Sequence, residues 1–206
     1  MKIHRLILGP IEVNCYILID EDKKAIAIDP GAESKAILSL LAKEGATLKE
    51  ILLTHTHYDH IGAIPDLMKD KDITLRVFHE ESNWLYNPEK NLSLLLGETM
   101  VFPPVDAVFQ DGETVGFGGM EMTVIHTPGH TPGSVCFYHR EGILFSGDTL
   151  FAGSIGRTDF PGGNHYQLIS SIRNRIFTLP GETVVYPGHG QSTKINKEMR
   201  ENLFLR

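Results

Sequence analysis

A short stretch of the chain, residues 54–60 with the sequence THTHYDH, concentrates imidazole and carboxylate side chains. These groups, on His55, His57, Asp59 and His60, are the ligands that zinc and related divalent metals take from proteins. In an extended segment His55 and His57 point to the same side and can reach one ion. The adjacent Asp59 and His60 diverge and can reach a second ion. Polar loops favour Gly, Pro, Asn, Asp and Ser over histidine, so this density of histidine indicates a metal site.

The spacing His-x-His-x-Asp-His resembles the signature of the metallo-β-lactamase superfamily. The remaining ligands in that family are a histidine, an aspartate and a histidine, each after a strand, and His130, Asp148 and His189 occupy these places in order. The resemblance covers most of the chain, since the ligand segments span residues 55–189. It implies two ligand sets and a bridge: His55, His57 and His130 for one ion, Asp59, His60 and His189 for the other, and Asp148 between them.

This ligand set implies two divalent metal ions, with zinc favoured and iron or manganese as alternatives. Two ions roughly 3.5 to 4 Å apart can share a bridging hydroxide, which exists at neutral pH because a metal lowers the pKa of bound water to about 7. Asp59 and Asp148 are therefore the expected catalytic carboxylates, and no Ser or Cys nucleophile is required. Histidines outside the set are interpreted as structural: His4, His79, His126, His139 and His165.

A β-strand is predicted immediately before each ligand segment, and loops at strand ends can bring distant side chains together. The predicted pairs are residues 51–53 before His55, 123–125 before His130, 143–145 before Asp148 and 184–186 before His189. Two Pro-Gly pairs bracket His130 and should restrict its loop. Such loops can converge on one edge of a two-sheet core. The resemblance implies an α/β fold of this kind, the four-layer αβ/βα sandwich.

Other elements follow from hydrophobic periodicity and turn signals. Apolar residues spaced as on one face of a helix predict a helix over residues 34–44, ended by Gly45, and further helices are expected at 64–69, 166–177 and 194–205. Further strands are expected at residues 2–8, 14–19, 25–28, 73–78, 108–109, 114–115, 120–126 and 135–138. Asp29 either closes a turn or, as the resemblance implies, supports the metal loop.

Residues 80–100 are apolar but lack a single period, because Pro88 and its neighbouring asparagines interrupt them. Two interpretations remain open. The segment forms a helix followed by a loop packed into the core, or it forms a mobile lid that supplies the apolar wall of a substrate pocket.

Length and composition predict a single domain over residues 1–206, a length at which a core can form without disulfides. The net charge of −7 argues against a nucleic-acid surface. No membrane span or secretory signal is evident, so a cytoplasmic location is expected. Cys15 and Cys136 lie in apolar runs and are interpreted as buried free thiols, with a lone disulfide as the alternative. The sequence does not indicate an oligomeric state.

Residues 151–160, FAGSIGRTDF, resemble the segment that follows the bridging aspartate in glyoxalase II-like proteins (hydroxyacylglutathione hydrolases), and similar segments occur in persulfide dioxygenases. Only 17 residues follow His189, so the C-terminal helical domain of full-length glyoxalase II is not expected. Arg157 replaces a lysine of that family, and Asp159 stands where a tyrosine would. Arg157 is predicted to bind a substrate carboxylate or, equally, to pair with Asp159.

The expected activity is therefore metal-dependent hydrolysis of a small-molecule thioester, such as S-lactoylglutathione, by a metal-bound hydroxide. Two alternatives from the same fold are a mononuclear-iron persulfide dioxygenase and a lactonase or β-lactamase, which would use the same metals on a ring. A complete second ligand set, including His189, argues against the mononuclear enzyme. Only the pocket distinguishes a thioester from a lactone ring.

Overall fold

The fold was obtained as a computed structural model, which describes residues 1–69, 72–96 and 100–206. The first half of the described chain forms a six-stranded sheet whose strands lie in sequence order. Its strands are β1 (Lys2–Leu8), β2 (Val13–Ile19), β3 (Lys24–Ile28), β4 (Thr47–Leu52), β5 (Thr74–Phe78) and β6 (Ala107–Phe109). Strands β1 to β3 pair antiparallel, whereas β3 to β6 pair in parallel.

The second half forms another six-stranded sheet, in which the strands do not all lie in sequence order. Its strands are β7 (Thr114–Val115), β8 (Met122–His126), β9 (Val135–His139), β10 (Ile143–Gly147), β13 (Val184–Pro187) and β14 (Thr193–Lys194). Strands β10 and β13 pair in parallel, and the other neighbours pair antiparallel. A small hairpin, β11 (Leu150–Phe151) and β12 (Ser154–Ile155), follows β10.

In the part of the chain that the structure describes, four helices lie between these strands along the chain, and a fifth follows the last strand. They are α1 (Ser34–Glu44), α2 (Tyr58–Ile61), α3 (Ile64–Met68), α4 (His165–Ser171) and α5 (Ile195–Glu201). Helix α1 ends as predicted at Gly45, whose left-handed φ of 64° lets its N–H bond back to Ala42. Among the helices of the described residues, none is both long and apolar enough to cross a membrane.

The two sheets pack face to face because β-strand side chains alternate between their surfaces. In β2, Tyr16 and Leu18 join a buried cluster that includes Phe137 and Phe145 of the second sheet. The rings of Tyr16 and Phe145 lie 5.1 Å apart between centroids. Full burial of a side chain such as Leu18 contributes about 1.5 to 3 kcal/mol to stability. This cluster is the apolar layer between the sheets.

Helices cover the outer face of each sheet. On the first sheet, the alternate β2 residues such as Ile17 share a buried cluster with Ile37 of α1. On the second sheet, Leu144 shares a cluster with Leu168 of α4 and Ile195 of α5. The predicted four-layer αβ/βα sandwich is thereby confirmed. Cys15 and Cys136 lie in these outer layers as buried free thiols, as expected.

Two predicted helices differ from the structure. The helix expected at residues 166–177 begins at His165 and changes after Ser171 to a π-helical turn, Ile172–Ile176. The single helix expected at 194–205 is wrong, because α5 ends at Glu201 and a 3₁₀ turn follows at Leu203–Leu205. Asn202 causes this break: its backbone is extended, and its side chain accepts from the Phe204 N–H and donates to the Ser154 carbonyl.

The helix expected within residues 80–100 is also wrong for the described part of that segment. The chain there forms 3₁₀ turns at His79–Glu81 and Ser93–Leu96, joined by further turns. Leu85 and Leu92 are buried, whereas Leu94 and Leu95 are exposed. The prediction that this segment contains a loop packed into the core is therefore correct in part. Residues 97–99 of the suggested lid lie outside the described residues, and its mobility stays a prediction.

Candidate metal centre

The metal loop, defined here as residues 54–57, lies outside helices and strands, and threonines and histidines alternate in it. Each threonine is held by one buried carboxylate from elsewhere in the chain. Asp29 accepts from the Thr54 N–H at 2.8 Å and from its hydroxyl at 2.6 Å. Glu81 accepts from the Thr56 N–H at 3.0 Å and from its hydroxyl at 2.6 Å. Because the threonines are fixed in this way, the backbone that carries His55 and His57 is held in place, and their rings lie 4.7 Å apart between centroids.

Helix α2, which the sequence did not predict, begins immediately after the metal loop and carries Asp59 and His60. The His60 Nδ1 donates to Asp29 Oδ2 at 3.0 Å, so Asp29 supports both the loop and the helix. These direct hydrogen bonds to Thr54 and His60 support the predicted role of Asp29. The opposite ring nitrogen of His60, Nε2, faces Asp59 Oδ2 at 3.5 Å and Asp148 Oδ1 at 3.4 Å.

The other three predicted ligands lie in loops at strand ends, as the sequence indicated. His130 is in the loop between β8 and β9, Asp148 follows β10 directly, and His189 follows β13. Asp148 lies between the two histidine groups, with Oδ2 3.7 Å from Nε2 of His130 and 3.7 Å from Nε2 of His189. Asp59 Oδ2 is 3.1 Å from Nε2 of His189. The structure thus brings all the predicted ligands to one edge of the sandwich.

Three overlapping groups of potential ligand atoms result, and within each group the atoms lie within 4.8 Å of one another. The groups are His55, His57 and His130; His55, His60 and Asp148; and Asp59, His60 and His189. The first and third groups share no member and correspond to the two predicted ligand sets. The middle group shares His55 with the first group and His60 with the third, and it adds Asp148. This arrangement can accommodate two neighbouring cations.

Hydrogen bonds outside the cluster fix the tautomers of most of these histidines. Nδ1 of His55 donates to the Thr54 hydroxyl at 3.1 Å, because that hydroxyl already donates to Asp29. Nδ1 of His130 donates to the Arg157 carbonyl at 2.7 Å, and Nδ1 of His189 to the Ile11 carbonyl at 3.1 Å. In each of these three rings, Nε2 is then the nitrogen that a metal would bind.

The site's charge pattern suits cation binding. Burial, and then the neighbouring His60, holds the pKa of His55 well below its usual value. Burial and His130 lower the pKa of His57 to about 3, so both imidazoles are neutral at pH 7. Burial opposes ionisation of Asp148, but the adjacent His60 outweighs it and lowers the pKa. Burial likewise opposes protonation of His60, yet the surrounding carboxylates, Asp59 foremost, raise its pKa well above the usual value.

Buried polar atoms without partners test whether a metal fits. Within the described part of the chain, Nε2 of His55, His57 and His60 and Oδ1 of Asp148 are buried and have no hydrogen-bond partner. A buried polar atom left unpaired is costly, and these atoms all belong to the cluster. Imidazole nitrogen and carboxylate oxygen donors suit zinc, iron and manganese. The residues therefore fit one or more divalent metal ions.

An open cleft of about 480 Å³ lies over the cluster, where a small molecule could reach it. His57, Asp59, His130, Asp148 and His189 line its floor. Its remaining wall is largely apolar and contains Ile11, Leu92, Leu95, Phe151, Ile155 and Phe160. Clefts of this size with a few convergent polar groups are typical of substrate sites.

Arg157 lies at the edge of this cleft. Its guanidinium donates two hydrogen bonds to the Asp159 carboxylate, each 2.7 Å long, and stacks 3.8 Å from the ring centre of Phe160. The predicted ion pair with Asp159 is therefore present. Its carbonyl also orients His130, so the Arg157 segment contributes to the site through its backbone as well.

Sequence reasoning missed Glu81, which the structure places beneath the metal loop. Glu81 belongs to a segment without clear periodicity, and nothing in a single sequence links it to residues 25 and 52 positions away. The histidines interpreted as structural take no part in the three ligand groups of the described residues. His126 and His139, for example, bond through Nε2 to the carbonyls of Pro132 and Gly119.

A family model described as the metallo-beta-lactamase superfamily matches residues 8–189, and the chain belongs to this superfamily. The hydroxyacylglutathione hydrolase GloC of Haemophilus influenzae is 36% identical over 208 residues, covering 100% of this chain and 98% of GloC. BLEG-1, a B3 metallo-beta-lactamase of solved structure, is 42% identical, with a TM-score of 0.93 and 99% of both chains covered. TTHA1623, solved in a di-iron-bound form, is 36% identical, with a TM-score of 0.87 and coverage of 98% of this chain and 100% of that one.

Proposed function

We propose that this protein is a binuclear metal-dependent hydrolase that cleaves small-molecule thioesters. The observation that carries the proposal is the pair of ligand groups beneath an open cleft, with Asp148 Oδ2 3.7 Å from a histidine of each group. His55, His57 and His130 would hold one divalent ion and Asp59, His60 and His189 the other, with Asp148 as a ligand to both. Similarity to TTHA1623 in its di-iron-bound form supports two ions, which are zinc, iron or manganese by donor type.

When bound, such ions supply Lewis-acid polarisation of a substrate carbonyl and a hydroxide at neutral pH. The chain's own residues make this chemistry possible by holding imidazole rings in fixed orientations. Outer hydrogen bonds to the Thr54 hydroxyl, the Arg157 carbonyl and the Ile11 carbonyl hold these rings. Pre-set ligands need little rearrangement to bind a metal, which favours tight binding.

The leaving group is the main argument for a thioester. Among the described residues that line the cleft, the titratable side chains other than the proposed ligands are Tyr58 and Arg157. Burial and the nearby Asp59 raise the pKa of Tyr58, and the hydrogen bond to Asp159 raises the pKa of Arg157, so neither group is a good proton donor at pH 7. A thiol has a pKa near 8.5 and can leave as thiolate without a proton. An amine must be protonated as it leaves, so an amide suits this cleft less well.

The cleft wall further defines the substrate. Leu92, Phe151 and Phe160 provide apolar contact for an acyl group or a thiol carrier. The Arg157 guanidinium is already paired with Asp159, so a carboxylate of the thiol carrier would have to compete for it. Similarity to GloC supports S-lactoylglutathione as a substrate. We expect turnover with modest selectivity for the thiol.

Ring-opening hydrolysis is the second candidate, supported by similarity to the B3 metallo-beta-lactamase BLEG-1. A β-lactam and a lactone retain the leaving group within the product, but its nitrogen or oxygen still needs a proton. The absence of a suitable acid among the described lining residues therefore favours the thioester. A persulfide dioxygenase with one iron would leave the Asp59, His60 and His189 group unused.

The test is a steady-state comparison on protein loaded with zinc, iron or manganese and analysed for metal content. S-lactoylglutathione is compared with an oxygen ester of the same acyl group, a β-lactam, an acyl lactone and glutathione persulfide. We expect kcat/KM for the thioester to exceed that for the oxygen ester by about 100-fold or more, equivalent to roughly 2.7 kcal/mol. Chelation should abolish activity, and added metal should restore it.

The oxygen ester is the matched control, since it differs from the thioester only in the leaving atom. Equal turnover of the two esters would contradict the leaving-group argument. Turnover of the β-lactam or lactone above the thioester would replace the proposed substrate class. Oxygen consumption with the persulfide, at a stoichiometry of one iron, would replace the proposed reaction.

A further inference from the structure

Glu81 is a buried carboxylate that binds two of the ligand segments at once. Its side chain lies in the 3₁₀ turn after β5, and the residue is 1% exposed. Oε2 accepts from the Thr56 N–H at 3.0 Å and from the Thr56 hydroxyl at 2.6 Å. Oε1 accepts from the Gly133 N–H at 3.0 Å. Both carboxylate oxygens are thus used, and each serves a different segment of the chain.

The two segments carry the histidines of a single ligand group. Thr56 lies between His55 and His57 in the metal loop, and Gly133 lies in the turn that follows His130. These three histidines form the first of the potential ligand groups. Glu81 therefore bridges the metal loop of the first sheet to the His130 loop of the second. The spacing between the two parts of this group depends on that bridge.

Packing around Gly133 shows how closely this bridge is built. A Cβ atom at Gly133 would lie 2.5 Å from Cγ of Glu81 and 3.0 Å from Oε1. Such distances are well below an ordinary contact of about 3.5 to 4.0 Å, so the glycine is needed for the loop to approach the carboxylate. The hydrogen bonds of Glu81 and the lack of a side chain at Gly133 together set the distance between the metal loop and the His130 loop.

The charge of Glu81 is balanced by hydrogen bonds instead of an ion pair. Within the described residues no Lys, Arg or His nitrogen lies within salt-bridge distance of Glu81. A buried carboxylate is costly without such a partner, and here three donors compensate it. The His55, His57 and His130 group contains no carboxylate of its own. A fixed negative charge behind the metal loop would also favour a cation in that group.

We propose that Glu81 is a positioning residue that sets the metal affinity of the His55, His57 and His130 group in particular. The inference rests on the proposed metal-dependent function. Asp29 is its counterpart on the other side of the loop, where it holds Thr54 and His60. The two carboxylates have different roles. Asp29 orients the metal loop relative to α2, and Glu81 orients it relative to the His130 loop.

The test is Glu81→Gln in the full chain, measured by titration of the metal-free protein with cobalt(II) in competition with a chelator. Glutamine has one acceptor oxygen where glutamate has two, so it cannot satisfy both Thr56 and Gly133. Variants His57→Ala and His189→Ala each remove one ligand from a different group and assign the two binding steps. We expect the Kd of the His55, His57 and His130 group to rise about 10- to 100-fold. The Kd of the other group should change less than about 3-fold.

Glu80→Gln is the matched control, because Glu80 is the neighbouring residue and its side chain is exposed. It should leave both dissociation constants at the wild-type values. Thr56→Val removes one of the three donors and keeps the shape of the side chain, so it serves if Glu81→Gln does not fold. It should weaken the same group by a smaller factor, about 3- to 10-fold. Thr56→Ser retains both donors and should restore the wild-type affinity.

Three results distinguish failure of this inference from failure of the proposed function. A wild-type protein that takes up no cobalt, zinc, iron or manganese would refute the proposed function itself. If the wild type binds two ions and Glu81→Gln binds both as tightly, the positioning role is wrong. Equal weakening of both groups in Glu81→Gln and Thr56→Val, with a lowered Tm, would show a general structural role and would also overturn the inference.

Discussion

Gly188, which immediately precedes the proposed ligand His189, provides the sharpest single-site test of the centre's geometry. A Cβ atom at Gly188 would overlap Oδ1 of Asp148 and would lie 2.8 Å from Cε1 of His60. Both neighbours are proposed ligands, and Asp148 is the one that would be shared. An ordinary contact needs about 3.5 Å, so Gly188→Ala should displace these groups by roughly 1 Å.

The expected effect follows from that displacement. A misplacement of about 1 Å at a reacting centre can reduce the rate about 100-fold, and we expect at least this loss in kcat/KM for Gly188→Ala. The variant should also retain less metal after dialysis, because the shared ligand no longer reaches both groups. Overpacking of a buried site costs about 1 to 3 kcal/mol. For a chain of this length, each kcal/mol corresponds to a Tm decrease of about 2 to 4 °C.

Gly190, on the other side of His189, is the matched control. Its φ of 74° makes alanine unfavourable by about 1 to 2 kcal/mol, so the stability loss should be similar. However, among the described residues no heavy atom lies within 4 Å of a Cβ placed there. Gly190→Ala should therefore lower Tm and keep its metal and activity. Elemental analysis, steady-state kinetics and thermal unfolding separate the two variants. Full metal content and wild-type kcat/KM in Gly188→Ala would refute the proposed geometry.

Three further predictions concern the ligands and the cleft. Asp148→Asn should fold, as judged by circular dichroism, but lose about 10³-fold or more in kcat, and intact activity would exclude the shared-ligand role. Arg157→Ala should raise KM for acidic thioesters and change it little for neutral ones if the guanidinium binds the thiol carrier, whereas an equal loss on both would leave only the pairing with Asp159. His60 and His189 have raised pKa values, despite burial, because carboxylates surround His60 and Asp59 accepts a hydrogen bond from His189. Without metal, both rings therefore keep a second proton to higher pH than a free imidazole does. Metal binding should release these protons, so metal affinity should increase as pH rises. Calorimetry in buffers of different ionisation enthalpy should show a binding heat that depends on the buffer. A binding heat that is the same in all buffers would contradict this prediction.

Much of the fold could be predicted because its signals are local. Alternating apolar residues define strands such as β2, whose side chains divide between two buried layers. Gly45 ends α1 because a left-handed residue terminates a helix wherever the rest of the chain lies. The predictions failed where a tertiary contact overrode the local pattern. Asn202 interrupts the last helix because its side chain binds Ser154, 48 residues earlier in the chain.

The sequence by itself determined the residue types of the candidate ligands and their order along the chain. Histidines at alternate positions of an extended segment must share one side, and this holds for His55 and His57 without knowledge of any other residue. Only the tertiary structure decided the distances that make these residues a site. Asp148 lies between the two histidine groups, and Glu81 bridges the metal loop to the His130 loop, because strands far apart in sequence end at the same edge. Such contacts depend on how two sheets pack, which no local pattern encodes.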